Sequence, residues 1–520
     1  MQHKRWTLFA AILGSGIVFL DSTIVNVALP KIGEVLPTSL FGVLEGQSYI
    51  YNGYLLALSA LLILAGALND FYGRRRVFAL GLVGFGITSV LCGLAPTMEL
   101  LVAFRILQGA AGALLVPGSL SLITAAFEGE EQGRAFGVWS GASGATTILG
   151  PFVGGMLVDT ISWRAAFLIN IPLVALALWA TLRYVRESRD ERAEGRFDWL
   201  GAAVVALAVG GLAFGAIYGQ QRNWHGSLAY MALAVGAVAT VLFPLLMARS
   251  ARPLVPLHLF RSHNFTVTNL STFVIYGALY VAFYYIPLFM QGTLGYSASA
   301  TGLATVPGTL LLVFLSSRFG ALAGRYGPRW FMAVGPGIMA AGLLWLIRVR
   351  AVSHGWVFMP GASDSYLPPA DYLIDFLPGF IVFGFGLAVM VAPLTTCLMT
   401  SVKAANSGLA SAINNAISRV GPQLAGAVIF VAITASFYAG LAARVPGLDV
   451  SSPEVRGMIA PLNRPAGAVP GSQAAAAREA SADVFHLAMI ISAGLLLSGA
   501  LINATGIRNP ALRAGAQEPP

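Results

Sequence analysis

Apolar residues in this chain come in long runs, broken by short polar stretches. A helix needs about 20 apolar residues to cross a bilayer core of roughly 30 Å. Fourteen runs meet that length, at about 8–29, 48–68, 77–95, 100–126, 135–158, 165–183, 199–218, 228–248, 266–290, 299–318, 331–349, 373–399, 407–438 and 484–505. The pattern predicts an all-α polytopic membrane protein with fourteen transmembrane helices. Two connections are longer than the rest, at about 350–372 and 439–483, and the second is rich in Ala, Pro and Gly. After Lys4 and Arg5 the first run continues for about 22 residues without a small-residue cleavage site, so it reads as a retained span rather than a signal peptide.

Composition agrees with lipid as the main solvent. Of the 520 residues, 57% are hydrophobic and 10% are charged, against about 25% charged in soluble domains. The 59 glycines suit close packing between helices in a bilayer. A net charge of +9 would suggest nucleic acid if it formed one face. Here the basic residues sit in loops between apolar runs. An even number of spans puts both termini on one side. With that side taken as cytoplasmic, it carries about 20 of the 31 Lys and Arg, the outer side about 9, and the spans two. The cytoplasmic set includes Arg74, Arg75, Arg76, Arg183, Arg186, Arg189, Arg192 and Arg196. This is the positive-inside asymmetry, and it argues against a nucleic-acid partner. The two cysteines, Cys92 and Cys397, lie in separate apolar runs and suggest neither a disulfide framework nor a metal site.

A repeat divides the chain. Gly66-Ala67-Leu68-Asn69-Asp70-Phe71-Tyr72-Gly73-Arg74-Arg75-Arg76 follows the second run, and Gly320-Ala321-Leu322-Ala323-Gly324-Arg325-Tyr326-Gly327-Pro328-Arg329 follows the tenth. The offset between matched glycines is 254 residues. The second copy has Gly324 where the first has Asp70. The repeat predicts two six-helix bundles, 1–198 and 251–520, with two intervening helices in 199–250.

These residues resemble a known family. The Gly66–Arg76 segment looks like the cytoplasmic-loop signature of the major facilitator superfamily. Arg105-Ile106-Leu107-Gln108-Gly109 resembles its embedded-arginine motif, and Gly150-Pro151-Phe152-Val153-Gly154-Gly155 its antiporter motif. The stretch from Leu20 through Asp21 and Asn26 to Pro30 resembles the superfamily's 14-span drug:proton antiporters, as does Trp163-Arg164 with Phe167, Asn170 and Pro172. Thr146 stands where the antiporter motif has a further glycine. The resemblance implies a major facilitator fold of 6 + 2 + 6 helices in the cytoplasmic (inner) membrane, with both termini cytoplasmic. It implies a proton-coupled secondary active exporter of hydrophobic or cationic small molecules, working by alternating access. The proton gradient would be its energy source, with no cofactor and no metal. Its partners would be substrates, protons and membrane lipids, with a periplasmic adaptor and outer-membrane channel left open. The alternatives are export of a dedicated lipid or metabolite, or a non-transporting sensor or assembly subunit.

Asp21 is the most informative residue, because a carboxylate inside a span costs a few kcal/mol on insertion scales. It lies roughly 12 Å from the outer end of its span, and Arg105 roughly 8 Å from the same side at 1.5 Å per residue. An ion pair or water bridge is within reach. Burial favours the neutral acid and a nearby Arg the carboxylate, so Asp21 with Arg105 is the candidate proton-coupling site. A static buried pair is the plainer reading.

Gly66, Asp70, Gly73 and Arg74 are candidates for a cytoplasmic gating loop. By the resemblance, they latch the two halves together. Gly150, Pro151, Gly154 and Gly155 are candidates for a softened, closely packed fifth helix, since proline removes a helical hydrogen bond. Gly137 and Gly141 form a second G-x-x-x-G there. Tyr276, Tyr280 and Tyr284 form a stripe at helical spacing, either an aromatic pocket wall or an interfacial belt. With Asn26, Gln108, Asn414, Asn415 and Arg419 they make up the substrate-cavity candidates. None of the three lysines, Lys4, Lys31 and Lys403, follows a G-x-x-x-x-G. ATP hydrolysis by a P-loop is therefore excluded. No H-E-x-x-H or G-x-S-x-G occurs to suggest a membrane hydrolase.

Overall fold

The computed structural model describes all residues except 1, 41–42, 190–196, 222–223, 225, 251–252, 360–364, 404–405, 466–468 and 510–520. Arg192 and Arg196 of the basic set lie outside the described residues. Sixteen α-helices follow in order: α1 Gln2–Val35, α2 Val43–Tyr72, α3 Arg74–Gly93, α4 Met98–Ala126, α5 Gly129–Thr160, α6 Ala165–Leu168, α7 Asn170–Tyr184, α8 Trp199–Gln221, α9 Ser227–Arg249, α10 His263–Leu288, α11 Ala298–Tyr326, α12 Arg329–Trp345, α13 Leu377–Thr400, α14 Ser407–Arg444, α15 Pro453–Met458 and α16 Gly471–Gly506. Local sequence sets several ends. Thr97 and Ser297 cap α4 and α11 by accepting the backbone N–H of Leu100 and Ala300. Wide π-helical turns, Phe289–Thr293 and Tyr372–Phe376, extend α10 and precede α13.

Thirteen described spans are long and apolar enough to cross a membrane, α6 and α7 counting as one. Fourteen were expected. The remaining expectation, 135–158, falls on α5, a 32-residue helix. From Ser140 to Thr147 that helix is built of Gly, Ala, Ser and Thr, which favour contact with other helices over contact with lipid. The sixth expected span is broken rather than continuous. Pro172 has no N–H to give the Leu168 carbonyl, so α6 ends and α7 starts across Ile169.

Helices α1 to α7 pack on one another, as do α10 to α14 with α16, while α8 and α9 form a hairpin. Two seams join the groups, α2 against α14 and α5 against α11. Each seam is a near-contact of backbones at a repeated glycine. A Cβ at Gly66 would lie 2.5 Å from the Gly408 carbonyl oxygen, and one at Gly320 would lie 2.6 Å from that of Gly133. Both glycines stand seven residues before Gly73 and Gly327, which mark one end of the bundle. The two halves of the repeat therefore make equivalent seams at the same end. Gly137 and Gly141 also face α11, at Ser316 and Val313. Gly150 and Gly154 face α1 instead, at Leu20 and Ile24. Of these two G-x-x-x-G pairs on α5, one serves the seam and the other packs within the first group.

Helix α8 packs against both α2 and α14. Gly210 of α8 approaches Ala60 of α2, with 3.3 Å between its would-be Cβ and the Ala60 Cβ. Ala202 and Val205 share a core with Leu409, Ala410 and Ile413 of α14.

A seam glycine should tolerate enlargement poorly. Overpacking typically costs about 1–3 kcal/mol, so Gly66→Leu is expected to lower the melting temperature in detergent by several degrees. Gly337→Leu, where a Cβ meets nothing within 4 Å, should leave it unchanged. Tryptophan fluorescence during heating reads both, and equal melting temperatures would contradict the close seam.

Candidate functional site

Arg105 and Gln108 lie three residues apart on one face of α4. The glycine between that face and α2, Gly109, packs against the Tyr54 carbonyl of α2, where a side chain would collide. The close approach lets Arg105 reach α2 and α1 together. Its Nη1 donates to Asp21 Oδ2 at 2.5 Å and to Gln108 Oε1 at 2.6 Å. Its Nε donates to the Ile50 carbonyl at 3.3 Å, and its guanidinium lies 4.0 Å from the centre of the Tyr54 ring. Gln108 and Asn170 donate to Asp21 Oδ1 at 3.2 and 3.0 Å. Ser89 of α3 accepts from Gln108 at 2.9 Å. Asp21 and Arg105 are both completely buried, at 0% exposure.

The Asp21 carboxylate is thus met by three donors from α4 and α7. Two atoms at its edge, Arg105 Nη2 and Asn170 Oδ1, are buried without a partner. Gln108, expected in the substrate cavity, belongs to this closed cluster, because its amide is the link between Arg105, Asp21 and Ser89. Tyr54 and Ser89 were not anticipated. A serine in a span ordinarily satisfies itself on its own helix, and a tyrosine near an apolar run reads as packing.

The second cluster lies at the seam. Asp70 accepts from Arg74 Nε and Nη2 at 3.2 and 3.1 Å. Across the seam it accepts the backbone N–H groups of Gly408 and Leu409 at 3.3 and 2.9 Å. It therefore caps the N-terminus of α14, where free N–H groups and the helix dipole favour an anion. Gly73 adopts φ 107°, a conformation that L side chains rarely take. Beside it Glu187 accepts the N–H groups of Arg75 and Arg76 at 3.0 and 3.2 Å. Glu187 was missed, because its role depends on the chain returning to α3 after α7.

The remaining candidates scatter. Asn414 donates to Asn269 and Thr272 of α10 at 3.2 and 2.9 Å. Asn415 donates to the Ser411 carbonyl of its own helix at 2.9 Å. Both were expected in the cavity. Instead, each amide is spent on helix contacts. Tyr276 is half-buried, whereas Tyr280 and Tyr284 are 48% and 61% exposed. Tyr51 of α2 stands within electrostatic range of Tyr280 and Arg419. Asn26 is exposed. Pro151 and Gly155 lie in α5, and their surroundings fall outside the described residues.

The buried pair makes a testable demand. Removing one partner of such a pair costs about 3–5 kcal/mol, whereas replacing both by apolar groups is often neutral. Asp21→Ala should therefore melt well below the wild type, and Asp21→Ala with Arg105→Met should recover most of the loss. A double variant as unstable as the sum of its parts would show that the two charges are not coupled.

Comparison with known proteins gives a consistent answer. The family model described as Major Facilitator Superfamily matches residues 11–427. The chain is 35% identical over 424 residues to Multidrug resistance protein Stp of Mycobacterium tuberculosis, covering 81% of this chain and 74% of that protein. It is 32% identical over 434 residues to the Tetracenomycin C resistance and export protein of Streptomyces glaucescens, covering 83% and 76%. Among solved structures, the human organic anion transporter MFSD10 superposes with a TM-score of 0.58 at 13% identity, covering 96% and 99%. The proton:xylose symporter XylE does so with a TM-score of 0.58 at 16% identity, covering 96% and 95%. These two likenesses concern the fold. The chain belongs to the Major Facilitator Superfamily and is a multi-pass membrane transporter.

Proposed function

We propose that this transporter exports hydrophobic small molecules in exchange for protons, from the cytoplasmic (inner) membrane, with both termini cytoplasmic. The observation that carries the proposal is the fully buried Asp21–Arg105 pair. An acid within a span, closed off on all sides, is a proton site that only a change of conformation can open. The relatives named for multidrug resistance and for tetracenomycin C resistance and export support the direction of transport.

The basic loop at Arg74–Arg76 supports a cytoplasmic position for the Gly73 end. Both seams lie at that end, so the conformation described is closed to the cytoplasm. A proton reaching Asp21 from outside removes the counter-charge of Arg105. The guanidinium then keeps Gln108, the Ile50 carbonyl and the Tyr54 and Phe167 rings as partners. Rearrangement of that cluster moves α1 and α4 against α2. Because α2 carries Asp70, the motion is relayed to the α14 N-terminus. Release of Asp70 from Gly408 and Leu409 opens the cytoplasmic side, where the proton leaves and substrate enters. Proton and substrate need only prefer different conformations. The expectation of cationic substrates is narrowed, because Asp21 is committed to Arg105.

Inverted vesicles energised by a pH gradient test this reading. Asp21→Asn is expected to reduce gradient-driven uptake of a labelled lipophilic substrate at least tenfold at equal expression, while the purified variant still binds it. Uptake at the wild-type rate would remove Asp21 from the coupling. Asp70→Asn should slow turnover severalfold and leave equilibrium affinity within about twofold, since the seam is remote from the tyrosine stripe. Lost affinity with normal turnover would count against a latch.

A further inference from the structure

Arg419 is the second cation found deep within a span, and its surroundings are the reverse of those of Arg105. It is half-buried and makes no hydrogen bond or ion pair with any described residue. Helix register fixes where it looks. Gly408 and Ala412 of α14 touch Gly66 of α2. Arg419 lies seven residues beyond Ala412, two turns further along the same stripe. The α10 contact belongs to another face, through Gly421 at Phe273 and Ala425 at Gly277. Arg419 therefore points toward the first group, above the seam, where α2 and α14 no longer touch through glycine.

Two phenols lie on the helices that flank α14, Tyr51 on α2 and Tyr280 on α10. Tyr51 of α2 and Tyr280 of α10 are within electrostatic range of each other, and Tyr51 also feels the Arg419 charge. Neither hydroxyl is hydrogen-bonded to a described residue, and Tyr280 is 48% exposed. Tyr54, by contrast, has given its hydroxyl to the Val18 carbonyl. Among the described residues, the acids of the first group's spans have partners of their own. Asp21 is held by Arg105, Asp70 by Arg74 and the start of α14, and Glu99 by Thr38, Ser39 and Leu40. A guanidinium does not lose its proton in a protein. An uncompensated one inside a span is costly unless water or a ligand reaches it.

We propose that Arg419, with the hydroxyls of Tyr51 and Tyr280, forms an anion-recognition point in the substrate site, and that the transporter takes aromatic substrates bearing a carboxylate or similar oxyanion. The guanidinium supplies a forked donor pair to the oxyanion. The two phenols supply further donors and flat apolar faces for the ring system. This deepens the export reading and rests on it for the direction of movement, but the binding step stands apart from any gradient.

A matched series of probes tests the site: pyrene butyrate, pyrene butanol and pyrenebutyl trimethylammonium, titrated into purified protein and followed by fluorescence anisotropy. The wild type is expected to bind the butyrate at least about tenfold more tightly than the ammonium compound. Arg419→Gln should weaken the butyrate about tenfold or more, as loss of a charged hydrogen bond implies, and change the butanol less than about twofold. Arg419→Lys should retain most of the butyrate affinity. Tyr51→Phe and Tyr280→Phe should each weaken the butyrate about threefold. Tighter binding of the ammonium probe, no binding of the butyrate, or equal weakening of all three probes in Arg419→Gln would each overturn the proposal. If that variant cannot be purified, the wild-type ranking and Arg419→Lys decide by the same criteria. Uptake of the three probes into inverted vesicles is read separately. Preserved discrimination in binding with no gradient-driven uptake would defeat the export reading and leave the anion site in place.

Discussion

Charge buried in an apolar medium has to be compensated on the spot, and the first group of helices is arranged around one such compensation. Asp21 and Arg105 form an ion pair with no exposure to solvent. Coulomb attraction alone does not repay removal of both from water, so further hydrogen bonds must complete the site. The local oddities of the fold supply them. Glycine at 109 lets α4 approach α2, so that Ile50 and Tyr54 can receive the guanidinium. The break between α6 and α7 leaves Asn170 at the start of α7, where its amide reaches Asp21 and Ser89. A straight sixth helix would carry Asn170 on a different path.

Much of this was legible in the sequence, for identifiable reasons. Apolar run length alone located the helices, because hydrocarbon thickness sets a minimum. The 254-residue repeat marked equivalent positions, and the structure gives Gly66 and Gly320 the same task at two seams. The depths of Asp21 and Arg105 could be counted in residues, and they meet. What could not be read was rotation. In a soluble helix the polar face shows which side is out, but here lipid and protein core are both apolar. Asn414, Asn415 and Arg419 all looked like cavity residues. Successive side chains turn by ~100°, so one faces α10, one is spent on its own helix, and one is left uncommitted. Glu187 and Ser89 escaped for another reason: their partners are distant in the chain and close only once the bundle has assembled.

The two seams are alike in backbone and different in charge. Gly73 and Gly327 both hold positive φ, at 107° and 88°. Glu187 accepts backbone N–H groups after the first, and Asn509 accepts that of Arg329 after the second, at 3.1 Å. At the α2–α14 seam an acid caps the facing helix. At the α5–α11 seam the corresponding position is Gly324, which lies beside the Glu130 backbone, with 3.7 Å from its would-be Cβ to the Glu130 Cα. One seam is locked by a charge and the other, among the described residues, by close backbone fit, so they need not part with equal ease. The repeat has kept the shape of the contact in both halves and placed the acid in one.

Helix α8 lies across the α2–α14 seam and touches both sides. Two bodies that rock against each other cannot both carry along a third that is packed on each. In the alternating cycle proposed above, α8 has to slide on one of its neighbours at each reversal, and α9, most of whose residues are exposed, moves with it through the surrounding lipid. Part of the friction of each cycle therefore arises outside the transport path. In that cycle, bilayer viscosity and lateral pressure act as brakes on the machine, applied through the α8–α9 hairpin.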